Sequence, residues 1–122
     1  MFKRRMFSKS KKAHNPKHMA PKPDPEPGWF EVASFSGMSS AKSESFEIYK
    51  ERFRFLWHVS GKRPMMFKAT LRHHGEEIHE HELVRTNTKD SGTTLVNESG
   101  DLYLDIIAHN VNWWIKIEQE EQ

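Results

Sequence analysis

LYLDIIAHNVNWWIKIE, residues 102–118, holds two alternations of apolar side chains separated by a short polar break. Leu102, Leu104, Ile106 and Ala108 share one face of an extended chain, and Trp113, Ile115 and Ile117 share one face of the next stretch. A period of two marks a half-buried strand. The break, His109-Asn110-Val111-Asn112, is rich in asparagine, which tolerates the positive φ of a tight hairpin. The stretch therefore predicts a closing β-hairpin with strands at 101–109 and 112–118. Lys116 and Glu118 then face water, with Trp114 on their side.

The same period extends back to Trp29. It predicts strands at 29–35, 43–49, 52–60, 65–73, 78–86 and 93–98, the fifth being the weakest. Phe53, Phe55, Trp57 and Val59 share a face in one, and Phe67, Ala69 and Leu71 in the next. A turn is expected at 61–64 and loops at 36–43 and 87–92. Only residues 42–53 offer a helical stripe, and Phe46 and Ile48 alternate there as a strand would. Eight strands at roughly ten-residue spacing with no helix between them predict an all-β fold, a single antiparallel eight-stranded β-sandwich of jelly-roll type.

The 122 residues leave room for one domain. Residues 29–118 contain all four Trp, both Tyr and six of the eight Phe, so the core belongs there. Residues 1–28 read as a disordered basic tail and Pro-rich linker, and residues 119–122 as an acidic end. Five of the six prolines fall between 16 and 27. Such spacing favours extended polyproline II, either as a semi-rigid spacer or as a ligand for an SH3-like groove.

Charge follows the same division. Residues 1–22 carry eight Lys and Arg and no acid; the remainder carries eleven against seventeen acids, so a +8 segment precedes a −6 body. Lys3, Arg4, Arg5, Lys9, Lys11 and Lys12 are the candidate anion-binding residues. Their expected partners are nucleic acid, an anionic membrane surface or an acidic protein. A solvated tail resting on its own acidic body explains the charges equally well, since no aromatic groups alternate with them as a nucleic-acid platform would need. No apolar run is long enough to span a membrane as a helix, and no secretory h-region follows the basic start. Cytoplasmic residence is expected. With no cysteine, thiolate metal sites, disulfides and a Cys nucleophile are excluded.

Gly28-Trp29, Phe46-x-Ile48, Phe53 to Trp57, Phe67-x-Ala69-x-Leu71, Ser91-Gly92 and the final Y-L-x-I-x-A and W-x-I-x-I segments resemble a small β-sandwich domain. That domain is found in bacterial and phage-encoded proteins of unknown function. Its topology is similar to jelly-roll, CUB-like or galactose-binding-like sandwiches. The resemblance spans 28–118 and brings no catalytic residues. This chain differs in lacking the lipoprotein cysteine or zinc ribbon that often precedes the domain.

One segment has metal-ligating composition. HHGEEIHEHE, 73–82, holds four His and four Glu. His79 and His81 project to one face of a strand, and His73 or His74 across the turn, with Glu77 or Glu80 depending on register, offers the further ligands of a site suited to zinc, nickel or copper. The plainer reading is a charged hairpin that protects a sheet edge. No zincin, P-loop or nucleophile-elbow spacing is present. Asp101, Asp105 and Glu98 read as hairpin polarity before a calcium site. Trp114 is the candidate surface contact for a sugar ring or a protein, with cover by the Pro-rich linker as the equal alternative. The resulting expectation is a non-enzymatic binding or protein-interaction module that needs no cofactor and has an unknown protein partner. A His-rich metal-binding protein and a structural part of a phage or other assembly are the alternatives.

Overall fold

The structure is a computed structural model that describes Lys22, Asp24 and residues 27–121, with the side chains of 76–79 left outside the description. Seven strands are seen among the described residues: β1 (Trp29–Gly37), β2 (Ala41–Lys42), β3 (Phe46–Ile48), β4 (Phe53–His73), β5 (Glu76–Thr86), β6 (Asp90–Val96) and β7 (Gly100–Glu120). All pairings are antiparallel and belong to one sheet.

Two predicted turns do not reverse the chain, which reduces the expected eight strands to six, and the short β2 brings the number to seven. β4 and β7 are each 21 residues long and pair along their whole length. Register runs from Arg54↔Glu118 to Gly61↔Val111, then resumes at Met66↔His109 and continues to His73↔Leu102. Residues 62–65 of β4 thus oppose Asn110 alone. Asn110 has φ 57°, the left-handed conformation that asparagine accepts more readily than most residues. The anticipated positive φ is present, but it serves a bulge inside a continuous strand. A bulge moves side chains to the other face without turning the strand around. That is why burial passes from the even positions 102–108 to the odd positions 111–117.

The two long strands are shared by two sets of neighbours. Their first set is β1 against residues 113–120 of β7 and β6 against residues 53–59 of β4. On the other side of the bulge, β2 and β3 flank residues 100–106 of β7, and β5 flanks residues 67–73 of β4. A straight strand of this length would span roughly 70 Å. Yet Phe46, registered on Leu102 and so level with His73 at the end of β4, lies 6.1 Å from the ring of Phe53 at its beginning. Phe35, opposite Ile115, lies 6.2 Å from the same Phe46. The sheet is therefore doubled over at the bulge, and its halves face each other across the core.

That core is the one the alternation predicted. Phe53, Phe55, Val59, Phe67, Ala69, Leu71, Leu102, Leu104, Ile115 and Ile117 are buried, with Trp57 and Trp113 beside them. Each large apolar side chain removed from water contributes about 1.5–3 kcal/mol. Glycine admits close approach at the fold-over: a Cβ on Gly61 would stand 2.1 Å from the Asn110 carbonyl oxygen. Gly92 and Gly37 lie against the rings of Trp57 and Trp113, with 3.0 Å left for a Cβ at each. The expected loop at 87–92 accordingly gives way to strand from Asp90. In the expected loop at 36–43, Ser40 Oγ accepts from the Ala108 N–H at 2.8 Å, and Ser43 Oγ accepts from the Leu104 N–H at 2.9 Å. Two serines thereby continue the edge of β7 where β2 is short.

Candidate functional site

The outer face of β7 corrects three expectations. Trp114, Lys116 and Glu118 alternate with core residues as predicted, but all three are buried. Trp114 is only 6% exposed and stacks on His58 at 5.8 Å, 17° from parallel, so it is not the exposed aromatic that was expected. Glu118 Oε1 accepts from Arg54 Nη2 at 2.5 Å and from Nε at 3.0 Å. Its Oε2 makes no hydrogen bond among the described residues but stands 3.4 Å from Lys116 Nζ. Arg54 lies 4.2 Å from the Trp29 ring centroid, a cation–π arrangement. The reason is mutual neutralisation: a carboxylate gripped by a guanidinium can occupy a position where a lone charge could not.

The His/Glu segment is partly described. His73 Nε2 is 2.6 Å from Glu98 Oε1, and His81 Nδ1 is 3.1 Å from Glu98 Oε2. One carboxylate thus joins the end of β4, β5 and the link between β6 and β7. Burial works to raise the Glu98 pKa, and the hydrogen bonds from His73 and His81 outweigh it, leaving the carboxyl below its ordinary range. Two of the three candidate metal ligands are brought together; the side chain of His79 lies outside the described residues. Among the described residues no group of three His, Asp or Glu side chains is arranged to hold a metal ion. Glu98 was read only as turn polarity, because a pairing between distant elements leaves no periodic trace. Asp105 faces away from the core and binds Arg72 Nε at 3.2 Å, while Arg72 also reaches Glu80 at 3.3 Å.

A groove runs where β1 faces β2 and β3 across the open edge of the doubled sheet. It contains a cavity of about 510 Å³ whose lining among the described residues includes Phe35, Phe46, Glu31, Glu44, Glu47 and Tyr49, and no basic residue. A second cavity of about 410 Å³ shares Ser34, Phe35 and Glu44 with it and reaches Trp113. Tyr49 is 77% exposed and Phe30 39% at this edge. Their neighbourhood is held by Gln119, whose Oε1 accepts from the N–H groups of Tyr49 and Lys50 at 2.6 and 2.8 Å. Sequence reasoning missed the groove, since it is made by three strands that meet only after the sheet folds over.

The six basic candidates Lys3, Arg4, Arg5, Lys9, Lys11 and Lys12 lie outside the described residues. At the described end of that segment, Lys22 Nζ donates to Ser34 Oγ at 3.2 Å on β1. No helix among the described residues is long and apolar enough to cross a membrane. No family model, curated protein or solved structure matches the chain.

Proposed function

We propose that the protein is a non-enzymatic binding module: a β-sandwich of jelly-roll or galactose-binding-like type that holds a protein partner along the β1 edge. The basic N-terminal segment adds attraction to an anionic surface or polymer in the cytoplasm. The groove carries this reading. It joins an apolar floor, Phe35 and Phe46, to an exposed Tyr49 and a rim of three glutamates. Aromatic anchors beside acidic groups with no ion pair among the described residues suit recognition of another surface, with the charges setting the rate of encounter. The edge of β1 opposite β7 pairs with no strand among the described residues, which leaves backbone groups for an added strand.

The reading is tested in two parts on the full chain. A partner retained by wild type and lost by a Tyr49→Ser/Phe30→Ser variant supports the groove; equal retention by both rejects it. Salt-dependent retention on heparin that disappears when Lys3, Arg4, Arg5, Lys9, Lys11 and Lys12 are all changed to Gln supports the tail. Unchanged retention rejects that half alone.

A further inference from the structure

At the fold-over a separate cavity of about 480 Å³ is lined by Ser60, Gly61, Lys62, Lys89, Asn110 and Asn112. Three elements deliver these residues: the bend of β4, the link before β6 and the bulge of β7. The lining holds two ammonium groups and no carboxylate. Asp90, the acid adjacent to Lys89, accepts from the Ser91 N–H at 2.8 Å and is not part of the wall.

Ser60 supplies the second, independent observation. It is 3% exposed, and its Oγ has no hydrogen-bond partner among the described residues. A buried hydroxyl left unpaired costs stability, so alanine is the better residue here unless something accepts that proton. His58, two residues earlier on the same face, has a buried Nε2 in the same condition. Its pKa is held down first by burial and then by the positive charge of Lys89, which places the field of that lysine over this face. The amide nitrogen of Asn110 is already given to the Pro64 carbonyl at 2.6 Å. Beside Asn112, the donors that the lining offers are therefore the Ser60 hydroxyl and the two lysines.

We infer that this cavity binds a tetrahedral oxyanion, phosphate or sulfate, free or as a monoester of a small molecule. Two ammonium groups neutralise the charge, and the Ser60 hydroxyl donates to one oxygen. A metal cation is disfavoured by the two lysines of the lining. The site does not depend on the groove or the basic tail.

The test follows backbone amide resonances of the full chain in chloride buffer at constant ionic strength. One titration uses inorganic phosphate, a second sulfate, a third glycerol phosphate. Saturable shifts centred on Ser60, Gly61 and Lys89 are expected, with the relative affinities telling a free ion from a monoester. Ser60→Ala should weaken binding by about tenfold or more, the worth of one hydrogen bond to a charged group. In phosphate-free buffer the same variant should melt no lower than wild type, which separates lost binding from lost folding. Lys89→Gln should also weaken binding. Shifts that grow linearly without saturation, that fall only on residues 1–22, or that persist unchanged in Ser60→Ala would each overturn the inference.

Discussion

Replacing Phe46 and Phe53 by leucine, singly and together, tests whether the sheet is doubled over. The two rings meet edge to face at 6.1 Å and 77°, Phe53 fully buried and Phe46 nearly so. Truncation to alanine costs about 3–5 kcal/mol per buried Phe, too much for a domain of about 5–15 kcal/mol total stability to bear twice. Leucine keeps most of the volume, so each single change should cost about 1 kcal/mol. An aromatic pair in this geometry contributes about 0.5–1.5 kcal/mol beyond its buried area. The double variant should therefore be less destabilised than the sum of the singles by about that amount. Urea unfolding followed by tryptophan fluorescence supplies the free energies, and unchanged m-values confirm that the same surface is exposed. Additivity within about 0.3 kcal/mol would mean that the rings do not touch, and the folded-over sheet would be wrong.

Three further outcomes follow from the same geometry. Gly61→Ala forces a Cβ into the Asn110 carbonyl oxygen 2.1 Å away, so it should lower stability by about 1–3 kcal/mol in the same urea assay, while Gly75→Ala, with open space at its Cβ but a φ of 86°, should show only the milder cost of strain. Arg54→Ala strands the buried carboxylate of Glu118 with only Lys116 for a partner and should cost about 3–5 kcal/mol; Arg54→Met combined with Glu118→Leu should recover much of that loss in thermal melts. The lowered pKa values of His58 and Glu98 make acid destabilising, because each group binds protons more weakly folded than unfolded. His58 contributes stability that is complete above the ordinary histidine value of 6.5 and fades as pH falls below it, and Glu98 does the same below the ordinary glutamate value of 4.5. Melting temperature against pH should fall in those two windows, with the upper fall missing in His58→Leu and the lower in Glu98→Gln.

The alternation in the sequence located the core almost residue for residue, because burial on one side of an extended chain imposes a period of two. It also located the slip at 109–112. What period does not encode is direction of travel: a side chain changes face at a hairpin and at a bulge alike. Asn110 suits both, so one strand was read as two, and 61–64 was misread in the same way. Charge at Lys116 and Glu118 suggests exposure in the linear sequence because Arg54, the partner that lets Glu118 be buried beside Lys116, sits 64 residues away from Glu118 in the chain. The groove at β1, the bridge at Glu98 and the cavity at Ser60 share that cause. Each is assembled by long-range folding, which leaves only unremarkable polar residues in the linear text.

The continuity of β4 and β7 has a mechanical consequence. Both strands cross the hinge line, so neither leaf of the structure owns a complete hydrogen-bonded ladder. One leaf cannot peel off and leave the other intact, as stacked but separately stranded layers can. The molecule has one unit of unfolding, and a disturbance at the hinge reaches both leaves at once through the same two backbones.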